Sequence, residues 1–263
     1  MSYYCSANKE PLQLASGLSF KVTAPLGTTS PMLRACLTDF LALFFPQACL
    51  ACQAALVAGE QHLCTMCRAE LPYTNYHQLP AAHNPLSRRF WGKLPVTHTL
   101  SYLRFLRHGQ VQHLLHQLKY QGQQDVGKAL GQLYGAELAT AGLSPEFDLI
   151  VPVPLHRRKL ARRGYNQADA FAAGLATALP CSWSATALRR TEHTASQTRK
   201  SRTERWQNVA TVFEVAQPQE VVGRHILLVD DVLTTGATLE ACGAALLAAG
   251  ARQLSIATIA CAE

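Results

Sequence analysis

HILLVDDVLTTGATLEACG, residues 225–243, is the stretch on which the fold turns. Residues 226–229 are continuously apolar, the pattern of a strand buried on both faces. Two carboxylates, Asp230 and Asp231, close that run. A loop of small residues follows (Thr234, Thr235, Gly236, Ala237, Thr238), and then Leu239, Cys242, Leu246 and Leu247 recur at helical spacing. Strand, loop and helix in this order form the repeating unit of an open α/β sheet. Such sheets bind ligands beyond the C-terminal ends of their strands.

Each part of the segment has a chemical use. Small loop residues let backbone N–H groups close around a phosphate, and Gly236 allows backbone angles that other residues resist. The helix that follows turns its unsatisfied N–H groups and positive dipole end toward an anion. Three threonine hydroxyls add donors. Carboxylates repel phosphate, but they accept hydrogen bonds from vicinal sugar hydroxyls. A plain turn in which Asp caps the helix would not call for two acids, three threonines and a glycine in fixed order. The segment reads as a site for a ribose 5-phosphate group. It resembles the motif that binds phosphoribosyl pyrophosphate (PRPP) in type I phosphoribosyltransferases, across residues 227–238. The resemblance implies that Asp230 and Asp231 hold the ribose hydroxyls and that residues 234–238 cradle the 5-phosphate.

Working outward, the α/β alternation begins near Thr97. Residues 99–105 read as a strand, and Val111, Leu114, Leu115 and Leu118 mark a helix. Asp125 is placed to cap a second helix that Gly142 stops. Residues 148–153 form a strand, residues 167–179 an Ala-rich helix, and residues 254–259 a last strand. The fold class expected is α/β, a mostly parallel sheet like that of type I phosphoribosyltransferases, with a small N-terminal four-Cys zinc unit.

Charge is concentrated in one region. Residues 151–208 carry eleven Lys+Arg against three Asp+Glu, while the rest of the chain is close to neutral. This marks a local polyanion site. Its first part holds His156, Arg157, Arg158, Lys159, Arg162 and Arg163; its second holds Arg190, Gln197, Arg199, Lys200, Arg202 and Arg205. Arginine suits pyrophosphate through bidentate contacts. The second part has the composition of a loop that closes over a ligand. The same two parts also suit single-stranded nucleic acid, with Tyr165 or Trp206 as a stacking face.

Cys49-x-x-Cys52 and Cys64-x-x-Cys67 have the spacing of a closed, structural four-thiolate zinc site. A redox dithiol and a pair of disulfides remain the alternatives, and His62 is a possible substitute ligand. The odd cysteine count and the lack of a recognisable export signal argue against a secreted disulfide scaffold. Residues 40–59 are uncharged, but Pro46, Gln47 and Gln53 interrupt them, so no membrane span is expected. Residues 1–33 read as a poorly ordered extension, 34–95 as the zinc unit with a connecting loop, and 96–263 as the phosphoribosyltransferase-like domain.

Taken together, the C-x-x-C pairs, LKYQGQQD at 118–125, VPVPLHRRKLARRGYNQA at 151–168, the series Arg190, Thr191, Gln197, Arg205, Asn208, Val209, and VDDVLTTGAT at 229–238 are similar to the ComF family. These are competence-associated phosphoribosyltransferase-like proteins of ComFC and GntX type. The resemblance implies a bacterial cytoplasmic protein that serves natural transformation or the use of external DNA. PRPP with Mg²⁺ is the expected ligand, and single-stranded DNA and proteins of the competence machinery are the further partners. Lys119 matches the family segment and is expected, with Arg157, Arg158, Arg162, Arg163 and Arg202, to contact pyrophosphate or nucleic acid. The other reading is a single-stranded DNA-binding factor that uses the fold as a non-catalytic scaffold.

Overall fold

A computed structural model describes residues 47–107, 109–191 and 212–262. The N-terminal extension, the first residues (40–46) of the uncharged stretch and the second basic part from Gln197 to Arg205, with Arg202 and Trp206, lie outside the described residues.

Seven strands and six α-helices carry the described fold. The strands are β1 (Thr99–Arg104), β2 (Leu149–Pro152), β3 (Ser182–Trp183), β4 (Leu188–Arg190), β5 (Phe213–Val215), β6 (His225–Leu233) and β7 (Gln253–Cys261). The helices are α1 (Thr65–Glu70), α2 (Gln110–Tyr120), α3 (Gln124–Thr140), α4 (Arg157–Arg163), α5 (Gln167–Ala178) and α6 (Ala237–Ala248). Five strands form a wholly parallel sheet in the order β1-β7-β6-β2-β3. β4 and β5 pair antiparallel beside it.

β6 lies at the centre and explains its own composition. Leu227 and Val229 enter the core on one face of the sheet, and Ile226, Leu228 and Leu233 enter the core on the other. A strand covered on both faces has no position for a polar side chain until its end. The first core holds α2, α3 and α5 through Leu114, Leu118, Leu130 and Phe171, and it also takes in Cys49, Leu63, Cys67 and Leu71 of the cysteine unit. The second core is built by Leu86, Phe90 and Leu94 with Leu239, Cys242 and Leu246 of α6.

α3 and α5 approach closely along a row of glycines. A Cβ at Gly131 would run into the Phe171 carbonyl oxygen and stand 2.9 Å from the Gly174 Cα. A Cβ at Gly135 would stand 2.9 Å from the Ala178 Cβ. Small residues at a four-residue interval let the two backbones meet, as the i±4 ridge geometry of helix packing requires.

The structure departs from the sequence reading in a few local places. β6 runs four residues past Val229, because β7 keeps pairing with it as far as Leu233↔Cys261. Asp125 sits in the first turn of α3 and does not cap it; the N-cap position is Gln123, which makes no side-chain cap bond. The basic run Arg157–Arg163 is a helix, opened by His156, whose Nδ1 accepts from the Arg158 N–H at 3.2 Å, and closed by Gly164 at φ 79°.

Candidate functional site: a sugar-phosphate cradle and a four-cysteine centre

The site begins where the sheet opens. β2 pairs with β6 only as far as Pro152↔Val229, and the Val153 N–H donates to the Val229 carbonyl at 2.8 Å before the chain turns away. Residues 230–233 therefore keep a neighbour on the β7 side alone. Asp230 points toward the loop and lines a shallow concavity with Thr234, Thr235, Gly236 and Thr238. Asp231 points toward α2, where its Oδ2 lies 3.0 Å from Lys119 Nζ. Both carboxylates are half-buried, and Asp230 Oδ1 accepts from the Asp231 N–H at 2.8 Å.

This placement separates the acids electrostatically. Burial, and then the neighbouring Asp231 carboxylate, push Asp230 up to about 7; the Asp231 N–H and the charges of Lys119 and Lys159 pull the other way.

The loop has the form its residues predict. Gly236 is the N-cap of α6 at φ 85°, a left-handed conformation that a side chain would oppose. Thr234, Thr235, Ala237 and Thr238 are exposed around it, at the N-terminal end of a twelve-residue helix. The Ala237 N–H lies 3.5 Å from Thr235 Oγ1.

Two residues that the sequence did not single out brace this loop. The Arg89 guanidinium donates to the carbonyls of Thr234 and Ala262, and to that of Leu233 at 3.4 Å. The Phe90 ring lies beneath Gly236, where an added Cβ would meet it at 3.2 Å. Both come from the Ser87–Arg89 turn and the residue after it, inside a Pro-rich stretch that reads only as a connection. No periodicity or motif in that stretch marks them.

Of the basic residues, Lys119 is brought directly to the carboxylates. Arg157, Arg158 and Arg162 are exposed on α4. Arg163 is half-buried and committed elsewhere: its Nη1 donates to Gln167 Oε1 at 2.5 Å and its guanidinium lies 5.5 Å from the centre of the Tyr120 ring. Tyr165 is not the stacking face its type suggested. It packs half-buried against the first core, and its hydroxyl donates to the Leu118 carbonyl, which ties α4 to the end of α2.

At the other centre, the Sγ atoms of Cys49, Cys52, Cys64 and Cys67 all lie within 4.8 Å of one another. Zinc–thiolate bonds of about 2.3 Å in a tetrahedron place sulfurs about 3.8 Å apart. Cys52 and Cys64 are separated by 3.8 Å. Two left-handed residues, Gln53 (φ 65°) and His62 (φ 63°), flank the knuckles, and the Leu50 N–H donates to the His62 carbonyl at 2.8 Å to join them. Glu60 fastens the second knuckle by accepting from the N–H groups of Val57 at 3.0 Å and Thr65 at 2.6 Å. Burial raises the Cys49 thiol, but N–H donors of Cys52, Cys64 and Ala51 outweigh it and bring the thiol down to about 6. Burial and the three neighbouring thiols hold Cys67 well above the ordinary thiol range. The donor set fits a divalent soft cation, and the four thiols share that geometry without His62.

Comparison with known proteins finds likenesses for both parts of the chain. A phosphoribosyl transferase domain matches residues 160–262, and a double zinc ribbon domain matches residues 40–78. The DNA utilization protein YhgH of Escherichia coli (strain K12) is 37% identical over 138 residues, which are 51% of this chain and 60% of that protein. Competence protein F of Haemophilus influenzae is 36% identical over 110 residues, 41% of this chain and 48% of that one. The chain thus spans about half to three-fifths of the length of these relatives. Among solved structures, an allosteric regulatory enzyme of purine biosynthesis aligns with TM-score 0.39 at 19% identity, covering 54% of this chain and 29% of that one. Among the described residues no helix is long and apolar enough to cross a membrane. Residues 40–78 are thus similar to a double zinc ribbon domain and residues 160–262 to a phosphoribosyl transferase domain, and about half of the chain is similar to the DNA utilization protein YhgH.

Proposed function

We propose that this chain is a PRPP-binding protein of ComF type that serves natural transformation or the use of external DNA. One observation carries the reading. Asp230 and Asp231 stand where β2 leaves β6, directly before a loop whose left-handed Gly236 opens α6. A ribose hydroxyl pair would meet the carboxylates there, and the 5-phosphate would take the N–H groups of residues 235–238 and the threonine hydroxyls.

Lys119 pairs with Asp231 at 3.0 Å, and it would turn to the pyrophosphate once ribose occupies that carboxylate. Arg157, Arg158 and Arg162 offer further cations from α4. The residues suit PRPP carried as its Mg²⁺ complex, with the metal on the pyrophosphate. Displacement at the anomeric carbon, with pyrophosphate leaving, would draw on position and charge in this chain. The names of the relatives support the DNA-related role, and a bacterial cytoplasmic location is part of the same proposal.

Calorimetric titration with PRPP and Mg²⁺ tests the site. Asp230→Asn combined with Asp231→Asn should abolish binding, and unchanged affinity would remove the assignment. A second reading, a single-stranded DNA-binding scaffold, is favoured by the exposed basic helix α4 beside the site. It prevails if oligonucleotide binding is strong and steeply salt-dependent while PRPP does not bind.

A further inference from the structure

Most exposed apolar side chains on a protein stand singly and need no explanation. Tyr120 differs in its neighbours. It is the last residue of α2 and is 60% exposed. The residue before it, Lys119, lies 3.0 Å from Asp231, so the end of α2 that carries the ring also reaches the carboxylates of the candidate site. His116, one turn earlier, lies against it with ring centres 5.0 Å apart and planes at 43°. The Arg163 guanidinium lies 5.5 Å from the ring centre and is itself fixed by Gln167. Tyr165 ties the same end of α2 to the segment after α4 through the Leu118 carbonyl. The ring is thereby held from two sides while most of its surface meets solvent.

We propose that Tyr120 is a stacking platform for a nucleobase whose phosphates lie along the exposed cations of α4. The position of the ring relative to the sugar rests on the PRPP reading; the stacking itself does not. An exposed aromatic ring in contact with Arg163 of α4, a helix that also carries exposed Arg158, Lys159 and Arg162, matches the recognition chemistry of a nucleotide, a flat π-face joined to an anionic backbone. Arg163 adds to it, since a cation on one side of the ring leaves the arrangement of base, ring and guanidinium that nucleic-acid grooves use. The base reaches Tyr120 either as part of a single strand or as a free nucleotide, and both present the same face.

The test uses the full chain with Tyr120→Ala, Tyr120→Phe and the unmodified protein. Fluorescence anisotropy follows a labelled oligothymidylate of about ten nucleotides, and calorimetry follows thymidine 5′-monophosphate. Tyr120→Ala should weaken binding by about tenfold or more, and Tyr120→Phe should stay within about twofold, because stacking uses the ring and not the hydroxyl. Loss confined to the oligonucleotide identifies a strand as the source; loss confined to the nucleotide identifies a free one. The proposal is overturned if Tyr120→Ala binds both probes as well as the unmodified chain does. It is equally overturned if Tyr120→Phe falls as far as Tyr120→Ala, or if neither probe binds the unmodified chain at low salt. A PRPP titration of the unmodified chain scores the sugar-phosphate reading separately.

Discussion

Asp230 and Asp231 are adjacent in sequence and opposite in circumstance. Asp231 has Lys119 at 3.0 Å, whereas Asp230 faces the loop and is pushed up to about 7 by burial and by its neighbour's charge. The consequence for stability has a definite sign. A carboxyl whose folded pKa lies above its unfolded value keeps its proton in the folded chain where the unfolded chain has lost it, so its contribution to stability declines as pH rises toward about 7. Ligand binding runs the other way, since only the ionised form accepts hydrogen bonds at both oxygens. Calorimetry between about pH 6 and about pH 8 should show PRPP affinity rising by up to roughly tenfold. Asp230→Asn should bind more weakly and lose that slope, which separates the side chain from the ligand's own phosphates. A flat profile in the unmodified chain would mean that Asp230 does not meet the ligand.

Helices α3 and α5 show what a single residue decides for an element. Gly131 meets the α5 backbone with no room for a methyl group. Gly131→Ala should therefore cost about 1–3 kcal/mol by overpacking, although alanine favours a helix. A urea denaturation midpoint that does not fall would show that the helices separate freely. The element scale is also where sequence reading did best and failed most clearly. β6 was legible because burial on both faces forces an unbroken apolar run, α2 and α3 because their apolar faces repeat, and α5 because it is rich in alanine. α4 was read only as charge, because it buries none of its residues and so has no apolar stripe; His156 and Gly164 at its ends were the signal available. The bracing of the phosphate loop by Arg89 and Phe90 was not legible at all. It depends on a contact between residues about 145 positions apart, and no local pattern encodes it.

Across the whole molecule, the cysteine unit is continuous with the sheet's first core, where Cys49, Leu63 and Cys67 share burial with Leu103, Leu114 and Ala260. About one zinc per chain is expected on metal analysis, as a closed four-thiolate site requires. Cys49→Ser with Cys64→Ser should lose it and lower the melting temperature of the whole chain in one transition. Zinc retained by that variant would place the metal elsewhere.

Arg89 carries one more consequence. Its guanidinium clasps the ends of β6 and β7 together at Leu233, Thr234 and Ala262, yet it belongs to the connection that precedes β1. A fragment cut to begin at the first strand would keep Asp230, Asp231 and residues 234–238 and still lose the fastener that braces them. The sheet's open end is thus fastened by a residue that lies upstream of the sheet's own first strand.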